Sequence, residues 1–154
     1  MSIDAAILRT EIKSGPLAAE LAPFVMHGKD YDIASVLNRA DRPGRRMLEI
    51  DEIVSDAMSK GYWVPIKAAA SSSLDPKVRA AAITALDFVT LRKENVDIDH
   101  QSIRSLTDQL VAGGVMSKEQ QDGLYALANM TMTRGEQLFG IGTVVLPSDI
   151  PAAR

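Results

Sequence analysis

The sequence predicts an all-α fold, one multi-helix domain over residues 1–154 that ends in an irregular tail containing Gly and Pro over 139–154. Three observations carry that prediction. Apolar residues recur at helical spacing through most of the chain, Gly and Pro punctuate the runs at short intervals, and the last fifth abandons the pattern. At 154 residues the chain can bury roughly two-thirds of the surface its unfolded form exposes, so it needs no covalent staples.

Ile3, Ile7, Leu8 and Ile12 lie on one helical face, and Gly15-Pro16 ends that helix. Leu17, Leu21, Phe24 and Val25 continue an apolar face that Pro23 either kinks or splits into two turns, with Gly28 as the stop. Asp30 is the expected cap of a third helix carrying Ile33, Ala34, Val36 and Leu37, followed by a loop over 38–44. Leu48, Ile50, Ile53, Val54, Ala57 and Met58 predict a fourth helix ending at Gly61. A further segment from Tyr62 to Ala70 is broken near Pro65.

Asp75-Pro76 opens the strongest helix, running to about Lys93. Asp75 supplies a cap oxygen, Pro76 sits where a missing N–H is harmless, and Val78, Ala81, Ala82, Ala85, Leu86 and Val89 form an apolar stripe of which Ala82, Ala85, Leu86 and Val89 are expected to be buried. Phe88 and Leu91 are expected to fill space further along. Ile103, Leu106, Leu110 and Val111, then Gly113-Gly114, then Ser117 with Gln120 as a capping pair, predict an αα-hairpin that continues through Leu124, Leu127 and Ala128. Thr133 with Glu136 caps a last short helix, which Gly140 and Gly142 terminate. An extended run from Thr143 to Leu146 follows, and Ser148 and Asp149 then open one more turn between Pro147 and Pro151.

Composition narrows the functional classes. With no cysteine, disulfides, thiol catalysis and thiolate metal sites are ruled out together. Asp4 and Glu11 interrupt what a signal peptide would need, and no run nears the roughly 20 apolar residues of a membrane span, so a soluble protein without a membrane partner is expected. The net charge of −3 is too small to predict a nucleic-acid partner through bulk electrostatics.

No motif for chemistry survives comparison with a plainer reading. Asp97, Asp99 and His100, like Asp30 and Asp32, read as helix caps rather than metal ligands. Ser71, Ser72 and Ser73 lack a nucleophile elbow and read as a loop. Gly140-Ile-Gly142 lacks the third glycine of a dinucleotide site. Glu49, Asp51, Glu52 and Asp56 read as the solvated face of a helix. The chain is therefore expected to be no enzyme, with no catalytic residue, cofactor or metal.

Two candidate contact surfaces remain. Arg39, Arg42, Arg45 and Arg46 place four guanidinium groups within eight residues, suited to grip carboxylates or phosphates. Neighbouring acids dilute their charge and no aromatic residues interleave for base stacking, so an exposed loop serving a protein partner is expected over one serving nucleic acid. The tail residues Ile141, Val144, Val145, Leu146 and Ile150 are too apolar for a free tail and are expected to pack against the chain's own helices or an adjacent subunit.

Residues 7–17, 32–38, 110–117, 136–145 and 149–154 resemble a group of small helical proteins encoded among the structural genes of tailed bacteriophages. The resemblance spans most of the chain but not residues 39–73. It implies a virion structural or assembly protein at the neck, tail or tail tip, assembled in the host cytoplasm and docking in many copies to other virion proteins. The rival expectation is a small helical regulatory or nucleic-acid-binding module, which salt-sensitive DNA binding by the arginine cluster would reveal.

Overall fold

The structure, a computed structural model, describes residues 3–91 and 95–153. It is mostly helical, with α1 (Ala5–Ser14), α2 (Ala18–Met26), α3 (Asp30–Leu37), α4 (Ile50–Ser59), α5 (Trp63–Ser72), α6 (Pro76–Leu91), α7 (Gln101–Ala112), α8 (Lys118–Ala126) and α9 (Arg134–Phe139). Two short strands, β1 (Arg42–Arg45) and β2 (Asn129–Met132), pair as a sheet, and 3-10 turns occupy Pro147–Asp149 and Pro151–Ala153. The strands correct the expectation of a loop through Arg42–Arg45. A four-residue strand with Pro and Gly at its centre has no period-2 apolar signal to announce it.

The described contacts group into two compact units, one formed by residues 1–44 and 130–154 and the other by 45–129. In the first, Leu8 and Ile12 of α1, Leu21 of α2, and Ile33 and Leu37 of α3 form an apolar core. Val145, Ile150 and Ala153 of the tail complete it. Asp4 caps α1 by accepting the Ala6 N–H at 2.8 Å. Pro23 lies inside α2, which is a single helix and not two turns; burial of Leu21 offsets the backbone bond that Pro23 forfeits. Asp30 is the first residue of α3, not its cap, which falls on Lys29.

The second unit holds two apolar clusters, one around Ala57, Tyr62, Ile66, Ala81, Ala82 and Leu110, the other around Leu48, Val96, Ile98, Ile103 and Leu124. Glu52 accepts the Glu49 N–H at 3.0 Å, which ties down the start of α4 from one side. Pro65 is the third residue of α5, where its absent N–H has no partner inside the helix to lose, so the helix runs unbroken through Ser71 and Ser72. Those two serines are therefore helical, and their hydroxyls donate to the Ala68 carbonyl.

Asp75 caps α6 by accepting the Lys77 N–H at 2.8 Å. Ala81 and Ala82 are buried, whereas Ala85, Leu86 and Val89 are half-buried. Leu91 is 78 % exposed and fills no core space, and the expected end near Lys93 lies outside the described residues. The α7–α8 hairpin forms with Ser117 and Gln120 as its capping box, and Gly114 supplies the positive φ of 69° that turns it.

Candidate docking surface

An amide ties the middle of the tail to the first unit, and Arg9 of α1 donates to the Ala152 carbonyl nearer its end at 3.0 Å. Asn38, just past the end of α3, donates from Nδ2 to the Val145 carbonyl at 2.7 Å and accepts the Val145 N–H on Oδ1 at 2.9 Å. A side-chain amide that binds both backbone groups of one residue acts as a short piece of neighbouring strand. It holds Val145 extended, with its side chain in the core at 1 % exposure. Val144 and Leu146 consequently face the other way and stand 61 % and 53 % exposed.

The capping box of α9 reinforces this seat. Glu136 accepts the Thr133 N–H and, on its other oxygen, the Gly142 N–H, each at 2.9 Å. These backbone donors, with the Thr133 contribution the larger, hold its carboxyl below the usual glutamate range. Gly140 and Gly142 take φ of 102° and 83°, which turn the chain sharply back from α9. A Cβ on buried Gly135 would come within 3.0 Å of Val145 Cγ2, so α9 passes directly over the seated tail. Leu146 N–H donates to Asp149 at 2.8 Å, opening the first 3-10 turn.

Between α3 and this segment runs a groove of about 220 Å³, walled by Tyr31, Ser35, Asn38, Val144, Leu146 and Pro147. Tyr31 stands 78 % exposed at its rim. The expected tail contacts therefore separate into two sets. Val145 and Ile150 are core residues and are not available to a partner, which corrects their expected place among the contact residues. Val144 and Leu146 line the groove, and Ile141 is exposed on the turn before it. Tyr31 and Asn38 are wall residues that sequence reasoning missed. Helical spacing does place Tyr31 opposite the buried Ile33 and Leu37 of α3.

The arginine cluster is dispersed among carboxylates of the chain itself. Arg39 pairs with Glu20 at 2.8 Å and with Asp41. Arg42 lies 3.9 Å from Asp41. Arg45 forms a fork on Asp99 at 2.6 and 2.8 Å, donates to the Tyr125 carbonyl at 2.8 Å, and meets Asn129. Arg46 forms a second fork on Glu52 at 2.8 and 2.6 Å. That guanidinium, helped by the Glu49 N–H, holds the Glu52 carboxyl down at about 2. The four residues are thus structural ion pairs along β1 and its flanks rather than an open loop.

Two carboxylates are buried, and the first departs from expectation. Asp56, assigned to a solvated face, is 7 % exposed and accepts from the Tyr62 hydroxyl at 2.7 Å and from Lys60 at 2.6 Å. Burial, then the bond to Asp56, pushes the Tyr62 phenol well above its ordinary range. Glu11 is 4 % exposed and receives both arms of the Arg134 guanidinium at 2.9 and 2.7 Å. Residues 123 positions apart make this pair, and no local pattern announces it.

Asp97 and His100 have local roles. Asp97 accepts the Asp99 N–H at 3.0 Å, and His100 caps α7 while its Nδ1 lies 2.8 Å from the Ser102 hydroxyl. Among the described residues no group of three or more His, Asp and Glu side chains is placed to hold a metal ion, and no helix is long and apolar enough to cross a membrane. No protein-family description, curated protein or solved structure matches the chain.

Proposed function

We propose that this chain is a structural or assembly protein of a tailed-phage virion, docking other virion subunits without catalysing a reaction. The groove between α3 and the tail carries the reading. Exposed apolar side chains are ordinary when scattered, but Tyr31, Val144 and Leu146 share one groove whose floor is pinned by the Asn38–Val145 bonds. A pinned segment presents its side chains at little further cost in ordering, which favours binding. In a multicopy particle, modest contacts of this kind reinforce one another. The irregular tail thus acts as both the closing piece of a core and the wall of a binding groove. The resemblance to small phage structural proteins supplies the partner class: neighbouring virion subunits in the neck, tail or tail tip, met in the host cytoplasm during assembly.

The rival reading as a regulatory or nucleic-acid-binding module relies on Arg39, Arg42, Arg45 and Arg46. Their carboxylate partners leave less cationic field for phosphate, which favours the docking reading. Mass spectrometry of purified particles tests the proposal. The chain is expected among the virion proteins, and a Val144→Asp/Leu146→Asp double variant is expected to fold yet be depleted from particles. Its absence from particles, or unimpaired incorporation of the double variant, would overturn the reading.

A further inference from the structure

The tail joins α9 through three exposed residues, Gly140, Ile141 and Gly142. Gly140 takes φ 102° and ψ 155°, a region essentially closed to any residue with a Cβ, and Gly142 takes φ 83°. A Cβ built on either glycine would meet no atom within 4 Å. The space around the turn is open, so only its backbone angles exclude a side chain. Few bonds hold the turn closed. The Gly142 N–H donates to Glu136 at 2.9 Å, the Thr143 N–H to the Gly140 carbonyl at 3.2 Å and the Thr143 hydroxyl to the Phe139 carbonyl at 3.3 Å.

The seat beyond the turn is of a different kind. Val145, Ile150 and Ala153 are fully buried among Leu8, Ile12, Leu21, Ile33 and Leu37. Asn38 binds both backbone groups of Val145, and Arg9 donates to the Ala152 carbonyl, across 107 and 143 positions of sequence. Partners so far apart in the chain offer the same contacts to this tail and to the tail of another copy. A tail that leaves its seat exposes an apolar surface on both sides, so the open form closes again on whichever seat it reaches.

We propose that Gly140 and Gly142 form a hinge that decides between two closures of the tail. Turned at both glycines, the tail seats on its own chain; straightened, it seats on a second copy, whose tail seats reciprocally on the first. The Asn38–Val145 and Arg9–Ala152 bonds then re-form between chains, and the exchange gives a closed two-fold dimer without any new surface. A tethered tail reaches its own seat first, so exchange in the wild-type chain requires roughly millimolar concentration. The inference goes beyond the docking reading and does not depend on it, since either closure leaves the groove beside α3 with a tail for its wall.

Gly140→Val/Gly142→Val in the full chain tests the hinge, because it opposes the turned angles without adding a clash. Strain at both positions in each of two self-closed chains is relieved in the exchanged dimer, so the dimer dissociation constant is expected to tighten roughly a hundredfold or more. Light scattering after size exclusion reads that change, with helical content expected to stay constant by circular dichroism. In a sample refolded from isotope-labelled and unlabelled chains, filtered NMR is expected to find the contact of the Asn38 side-chain amide with Val145 between chains. Gly61→Val is the control, with φ 78° and open space but no place in the hinge, and is expected to stay monomeric. A monomeric hinge variant, a dimer whose Asn38–Val145 contact lies within one chain, or equal dimerisation of Gly61→Val would overturn the proposal. Should the double variant fail to fold, wild-type chain refolded at roughly millimolar concentration decides: the same interchain contact is expected, and its absence overturns the hinge.

Discussion

Replacing Asn38 by Ala removes the one side chain that holds both backbone groups of Val145. Two part-buried hydrogen bonds of 2.7 and 2.9 Å are lost, each contributing about 1 kcal/mol net. The Val145 groups are then left to find water beside a side chain that is 1 % exposed, which raises the cost toward that of stranded buried polar groups, about 1–3 kcal/mol. The expected total is about 2–4 kcal/mol. For a chain of this length each kcal/mol moves the melting midpoint by about 2–4 °C, so a fall of roughly 5–15 °C is expected. Amide hydrogen exchange locates the effect, because opening of the tail need not unfold the helices. In Asn38→Ala the Val145 amide should exchange at least tenfold faster while Leu110 in α7 is unchanged. An unaltered midpoint together with unaltered Val145 protection would refute the argument that this amide seats the tail.

Glu11→Ala is expected to cost about 3–5 kcal/mol by leaving Arg134 without its buried partner, whereas a Glu11→Leu/Arg134→Met pair should recover most of that loss in urea unfolding. Ala82→Asp, which places a carboxylate at a site with 0 % exposure, should prevent the second unit from folding, as read by proteolysis and circular dichroism. Arg45→Glu should lower stability by about 1–2 kcal/mol, since it sets a carboxylate against Asp99; an unchanged midpoint would show that this half-exposed fork contributes nothing. Glu52, depressed to about 2 by Arg46 and the Glu49 N–H, contributes stability that is fully present above the ordinary glutamate pKa of 4.5 and is lost as pH falls through about 2. The gap in melting midpoint between wild type and Glu52→Gln should therefore narrow between pH 4.5 and 2.

Local chemistry was legible where a few neighbouring residues decide it. The Asp75-Pro76 start of α6, the Ser117–Gln120 and Thr133–Glu136 capping boxes, and the turn of the α7–α8 hairpin all depend on groups within a few positions of one another. Features that depend on distant partners were not. Arg42–Arg45 becomes a strand only because residues some 85 positions later lie beside it, and a Pro-Gly centre argues locally for a turn. Asp56 reads as solvated until Tyr62 and Lys60 fold over it. The apolar stripe of α6 overstated burial at Leu86, since periodicity gives the inward face but not how much of it neighbours cover. In the tail, composition showed that Val144, Val145, Leu146 and Ile150 could not all face water. Only the bond to Asn38 shows which of them turn inward.

The proposed docking function requires the groove between α3 and the tail to contact a subunit of a phage particle. Site-specific photocrosslinking from position 146 in intact purified particles tests that contact, with Thr84, exposed on α6, as the control position. A single cross-linked species joining this chain to a virion protein identified by mass spectrometry is expected from position 146 and not from position 84. A particle-borne chain that gives no adduct from position 146, or the same adducts from both positions, would contradict it.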